Sequence, residues 1–214
     1  MDNTKEFTVV EFCAGYAGIS EGLRCVGVPL QVITYVEIEA FAIANLVAKM
    51  EEGFIPPAPV WTDIKTFPAR QFHGLVDILI AGYPCQPFSA AGKRKGEDDP
   101  RHLWPHIRSA INVMRPGVCF FENVEGHISL GLSTVVSDLE GLGYSVSWGI
   151  FSAEEVGAPH RRKRVFIMAD RDGAGLIEQC RAITDESQQS PSQCCCWPAR
   201  PGEPQHDWEP PRTV

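Results

Sequence analysis

Apolar positions along the chain keep two rhythms. Short runs rich in β-branched and aromatic residues occur at 7–13, 32–36, 76–81, 118–121, 145–151 and 165–169, with a shorter one at 60–62. Between them apolar residues recur at three- and four-residue steps. Leu103, Trp104, Ile107, Ile111 and Met114 share one helical face, as do Leu132, Val135, Val136, Leu139 and Leu142. Ile19, Leu23 and Val26 form a third such stripe. Strands alternating with helices predict an α/β fold, a doubly wound and mostly parallel sheet. In such a sheet ligands bind beyond the carboxyl ends of the strands, so chemistry is sought there.

The alternation fades after Ala169. Residues 170–214 carry a Ser/Gln run, three adjacent cysteines (Cys194, Cys195 and Cys196) and six of the 17 prolines. Such a segment buries little apolar surface. The reading is one domain over 1–169 and a tail or linker over 170–214. With 214 residues there is room for one good core.

The net charge of −8 argues against a general nucleic-acid coat, though not against a local basic groove. No apolar run approaches a membrane span, and Met1–Phe7 has no signal-peptide character, so a cytoplasmic protein with no membrane partner is expected. Eight cysteines in that setting read as thiols. Adjacent Cys194–Cys196 cannot easily surround one tetrahedral ion, and no metal site is expected.

Several strand ends carry candidate chemistry. The first runs into Cys13-Ala14-Gly15-Tyr16-Ala17-Gly18, where Gly15 permits a tight turn and close ligand approach. The second ends at Glu37, placed to accept from ribose hydroxyls or, equally, to cap the next helix. Asp63 is placed to accept from an adenine amino group. Turn and acids together suggest an adenosine-containing ligand, and the lack of GxGxxG favours one without a pyrophosphate.

The fourth strand leads into Tyr83-Pro84-Cys85-Gln86-Pro87-Phe88-Ser89 and a polar loop through Lys93 and Arg94. Cys25 and Cys119 read as small core residues. Cys85, between two prolines after a strand end, stands where a nucleophile belongs. The fifth strand ends at Glu122, where a part-buried carboxyl could donate a proton near neutral pH, or cap a helix instead. In His160-Arg161-Arg162-Lys163-Arg164, alternation puts Arg162 and Arg164 on one side of the entering strand, able to reach an anionic or carbonyl group.

These motifs, in this order, resemble the DNA cytosine-5 methyltransferases. Glu11 to Gly18 matches the first motif, Pro84-Cys85-Gln86 the catalytic one, Glu122-Asn123-Val124 the next, and His160 to Arg164 the QxRxR motif. The resemblance implies a Rossmann-like fold that binds S-adenosylmethionine along Cys13, Ala14, Gly15, Tyr16 and Gly18. Glu37 with Ile38 would hold the ribose, Asp63 with Ile64 the adenine, and Pro84 and Leu103 would complete the pocket. It implies that Cys85 adds to C6 of a cytosine flipped out of double-stranded DNA, that Glu122 meets N3 and the exocyclic amine, and that Arg164 contacts O2 with Arg162 in support. Gln86, Ser89, Lys93 and Arg94 would lie over the DNA.

Three positions depart from the family pattern: Cys13 stands for a phenylalanine, Ala17 for a glycine and His160 for a glutamine. No target-recognition region or closing motif is recognisable in 170–214. The resemblance therefore implies a complementing C-terminal piece or second subunit, in a bacterial cell or phage-infected host. The alternatives are a tRNA cytosine-5 methyltransferase, or an inactive remnant that binds cofactor or DNA.

Overall fold

The computed structural model describes residues 6–84, 103–171 and Gly175. The predicted strands and helices are present, with shifted ends. Among the described residues seven strands form one sheet in the order β3-β2-β1-β4-β5-β7-β6. They are β1 (Phe7–Phe12), β2 (Leu30–Val36), β3 (Val60–Trp61), β4 (Ile78–Ala81), β5 (Val118–Val124), β6 (Tyr144–Ser152) and β7 (Lys163–Arg171). Strands β1 to β5 pair parallel, and β7 runs antiparallel to both β5 and β6. The helices are α1 (Gly18–Cys25), α2 (Ala40–Glu51), α3 (Trp104–Met114), α4 (His127–Leu130) and α5 (Leu132–Gly141).

The period of two along each strand divides the core between the sheet's faces. Leu79, Ala81, Cys119, Phe121, Ile167 and Ala169 point to the side where Trp104, Ile107 and Ile111 of α3 and Leu139 of α5 pack. Val9, Val32, Ile78 and Ile80 point the other way, against Leu46 of α2 and the partly buried Ile19 and Leu23 of α1. Each such side chain contributes about 1.5–3 kcal/mol when fully buried. The α3 and α5 faces are those the spacing predicts. Trp104 Nε1 donates to Asp138 Oδ2 at 2.8 Å, tying the two helices together.

Three boundaries differ from the sequence reading. Helix α1 ends at Cys25, so Val26 is its C-cap and lies 51% exposed rather than on the packed stripe. Strand β5 continues through Val124, because antiparallel β7 supplies it with a partner over that length. Glu122 and Asn123 are thus strand residues with opposite facing. Strand β7 reaches Arg171, two residues past the expected boundary at Ala169. Cys119 is fully buried and Cys25 half-buried. Among the described residues no helix is long and apolar enough to cross a membrane.

Candidate active site

Two clefts open at the carboxyl ends of the strands. The first, of about 310 Å³, lies over β1 and β2 and is lined by Cys13, Val36, Glu37, Ile38, Glu39, Asp63, Ile64, Lys65, Pro84 and Leu103. Its floor is the turn after β1, in which Cys13 (φ 52°), Gly15 (φ 53°) and Ala17 (φ 59°) are all left-handed. For an L-residue that region is strained, which is the physical reason for a glycine where Ala17 stands. Backbone hydrogen bonds offset the strain: Ala14 N–H donates to the Val36 carbonyl at 3.2 Å and Ala17 N–H to the Ala14 carbonyl at 2.8 Å.

Glu37 organises this cleft and is only 7% exposed. Its Oε2 accepts from Gly15 N–H at 2.7 Å, and its Oε1 from the N–H groups of Ile38 and Glu39, each at 2.8 Å. Three of the roughly four acceptor positions of a carboxylate are thereby filled, leaving capacity for one further donor such as a ribose hydroxyl. Asp63 spends Oδ1 on Lys65 N–H at 2.9 Å, so it does cap a 3₁₀ turn while also lining the cleft. Apolar walls are combined with Glu37, Glu39, Asp63 and Lys65, and the cleft volume is at the low end of ligand sites.

Of the residues assigned to this cleft, Cys13, Glu37, Ile38, Asp63, Ile64, Pro84 and Leu103 line it. Ala14, Gly15, Tyr16 and Gly18 shape the turn instead. Ala14 packs in the core, Gly18 begins α1, and Tyr16 is 50% exposed with its carbonyl held by Lys49 Nζ at 2.7 Å. Val36, Glu39 and Lys65 belong to the lining and were not singled out in the sequence; all three adjoin or neighbour a predicted acid. Burial, with the Glu37 carboxylate beside it, pushes the Cys13 thiol up to about 12, so it is a protonated wall.

The second cleft, of about 510 Å³, lies over β5, β6 and β7, and Glu122, Arg162 and Arg164 all line it together with His160, Phe151 and Phe166. Arg164 Nε meets Glu122 Oε1 at 2.7 Å, and both side chains are about three-quarters buried. Glu122 is part-buried on β5 and has a cation against it. Arg162 does not share the strand with Arg164, because β7 begins one residue later and Arg162 is left-handed at φ 27°. The preceding loop still presents it to the same cleft. That loop is fixed by a capping box, Ser152 N–H to Glu155 Oε2 at 2.6 Å and Glu155 N–H to Ser152 Oγ at 3.3 Å.

The end of β4 lies between the clefts. Pro84 lines the first, and a Cβ placed on Gly82 would lie 3.7 Å from Glu122 Oε2 in the second. Asn123, on the opposite face of β5 from Glu122, donates from Nδ2 to the Tyr83 carbonyl at 3.0 Å and accepts from Val124 N–H at 2.9 Å. The sequence reading gave Asn123 no role; strand alternation one residue past Glu122 was the available signal. Cys85, Gln86, Ser89, Lys93, Arg94 and Cys194–Cys196 lie outside the described residues.

The sheet, with an acid-rimmed cleft and an Arg–Glu cleft at its carboxyl edge, has the Rossmann-like architecture of methyltransferase folds. The sequence profile of C-5 cytosine-specific DNA methylases matches residues 7–193, and the chain belongs to that family. It is 33% identical over 169 residues to the type II methyltransferase M.CviJI of Paramecium bursaria Chlorella virus IL3A, covering 77% of this chain and 43% of that one. It is 31% identical over 172 residues to M.AplI of Arthrospira platensis, covering 78% and 47%. The chain thus spans less than half the length of these relatives. The Dnmt2 methyltransferase of S. pombe shares the fold, with TM-score 0.65, 24% identity and coverage of 77% and 51%. EhMeth of Entamoeba histolytica does so at TM-score 0.57 and 20% identity, covering 78% of this chain and 53% of that one.

Proposed function

We propose that the chain carries the catalytic half of an enzyme that transfers a methyl group from S-adenosylmethionine to C5 of cytosine in double-stranded DNA. One observation carries the reading: the segment Gly82–Pro84 after β4, which leads directly into Cys85, adjoins both the acid-rimmed cleft and the cleft of Glu122 and Arg164. Nucleophile, acid and cation then act on one ring, with the cofactor cleft alongside.

The donor set of the first cleft fits S-adenosylmethionine. Glu37 would take the ribose hydroxyls, Asp63 and Ile64 the adenine, and Ile38, Pro84 and Leu103 the apolar flanks. When bound, that cofactor supplies an electrophilic methyl group. The protein's part is to make cytosine C5 nucleophilic. The Cys85 thiolate bonds to C6, Glu122 delivers a proton at N3, and the ring gains enamine character at C5. Arg164 holds O2 and Arg162 supports the strand entry. Once C5 is substituted, its proton passes to solvent, Cys85 leaves as the thiolate and the N3 proton returns to Glu122, which restores the aromatic ring. The base must leave the duplex for this, and Gln86, Ser89, Lys93 and Arg94 serve as contacts to the surrounding DNA.

A region that reads sequence, in a complementing C-terminal piece or second subunit, would pack on the exposed Trp148, Ile150 and Phe151 of β6, which support this reading. The catalytic unit extends through β7 to Arg171, two residues past the expected boundary at Ala169, and the chain beyond leads towards that region. The setting we propose is the cytoplasm of a bacterial cell or a phage-infected host; a bacterial relative is the type II methyltransferase M.NgoBV of Neisseria gonorrhoeae.

The test is methyl transfer from labelled S-adenosylmethionine to mixed-sequence duplex DNA, with and without the C-terminal half of M.AplI. Cys85→Ser and tRNA serve as controls. Label in DNA, absent from Cys85→Ser, is expected with the added half. Label in tRNA alone would shift the substrate to RNA. No label, no covalent adduct on 5-fluorocytosine DNA and no cofactor binding would leave an inactive remnant.

A further inference from the structure

Beneath the β4 end lies a buried polar pair that the reaction does not use. His127, the first residue of α4, is 1% exposed, and its Nε2 is 3.1 Å from the Tyr83 hydroxyl. Its Nδ1 is buried and has no hydrogen-bond partner among the described residues. An apolar side chain would fill this place without that unpaired nitrogen, so the contact through Nε2 is what the imidazole provides. Room for the ring is made by Gly131. That residue has φ −160°, open to any amino acid, yet a Cβ there would come 2.9 Å from His127 Cε1. Space, not backbone conformation, is what glycine contributes.

Tyr83 is held on every side. Its carbonyl accepts from Asn123, and its ring lies 5.8 Å from Trp104, 6.1 Å from Phe121 and 5.6 Å from the His127 ring. The next residue, Pro84, is a wall of the cofactor cleft, and Leu103, just before Trp104, is another. Displacing the phenol would move both walls.

We propose that His127 is a positioning residue: by holding the Tyr83 hydroxyl it sets Pro84 and Leu103 and thereby the shape of the cofactor cleft. The assignment rests on reading that cleft as the S-adenosylmethionine site. Burial lowers the proton affinity of the imidazole, which keeps it neutral and its single contact intact.

The experiment titrates the full chain with S-adenosylhomocysteine by calorimetry, in wild type, His127→Phe, His127→Gln and Tyr83→Phe. Gln can place a polar atom where Nε2 stands; Phe fills the volume without one. Expected is a loss of affinity of roughly 3- to 10-fold in His127→Phe and Tyr83→Phe, the worth of one net hydrogen bond, with recovery in His127→Gln. Packing alone would not distinguish Gln from Phe in that direction. Tyr83→Phe removes one oxygen atom and serves if a His127 variant does not fold. Wild-type affinity in His127→Phe, or no recovery in His127→Gln, overturns the assignment. Hydrogen exchange of the amides of residues 78–83 is measured on the same proteins. If wild type fails to bind, the cofactor reading falls and exchange decides the positioning role. Faster exchange in Phe, reversed in Gln, upholds it, and any other pattern overturns it.

Discussion

Arg164 and Glu122 meet diagonally across the antiparallel β5–β7 pair, Nε to Oε1 at 2.7 Å, although their sequence positions are 42 apart. The pair joins the acid and the cation of the proposed chemistry in one contact. In the proposed reaction a cytosine entering the cleft engages both groups, its N3 side with the carboxyl and O2 with the guanidinium.

Glu122→Gln keeps the shape of that contact and removes its charge. Both side chains retain some exposure, so stability should change by no more than about 1 kcal/mol. Methyl transfer by the complemented chain should fall by roughly 10²–10⁴, the usual worth of a positioned acid. Thermal denaturation and the labelled assay read the two effects separately. A variant with near-normal turnover would remove Glu122 from the chemistry.

Glu37→Gln should damage both fold and cleft. One amide oxygen cannot accept from Gly15, Ile38 and Glu39 together, and the new NH₂ would face a backbone donor. A stability loss of about 1–3 kcal/mol in urea denaturation is expected. Cofactor affinity should drop by at least about tenfold, one unit of 1.4 kcal/mol. Retention of both properties would mean that the turn stands without the carboxylate.

Glu11 supplies a pH dependence of known sign. It is 2% exposed on β1, its Oε2 accepts from Ser20 Oγ at 2.6 Å, and burial raises its pKa from 4.5 to about 7. Between those values the folded chain keeps a proton that the unfolded chain releases. This group's contribution is therefore full below pH 4.5, declines as pH rises, and is gone above about 7. The total is at most about 3 kcal/mol. Glu11→Gln can still accept from Ser20 and has no proton to lose. Its stability relative to wild type should climb across that window and then level off. Parallel urea-denaturation curves at pH 5 and pH 8 would contradict this.

Asn123→Ala should uncouple the β4 end from β5. The side chain is 2% exposed, and its loss leaves the Tyr83 carbonyl without this donor, at about 1–3 kcal/mol. The rate of adduct formation on 5-fluorocytosine DNA should fall by more than about tenfold although Cys85 and Glu122 are untouched. An unchanged rate would show that the strand end holds its position without the amide.

Much of this was written in local pattern. Period-two and period-3.6 spacing fixes the strands and helices because burial of one face is a property of neighbouring residues. The acids after β2 and β3 and the motif around Glu122 are legible for the same reason: chain geometry puts strand ends at one edge. Longer-range matters were decided by tertiary structure. Pairing with β7 lengthens β5 and turns Asn123 away from Glu122, and the meeting of Arg164 with Glu122 depends on which strands became neighbours. Ala17 reads as a departure in sequence, but only the folded turn shows the left-handed backbone that makes glycine the easier residue there. His127 carries no sequence signal at all, since its role depends on Tyr83, 44 positions away, and on the space that Gly131 leaves.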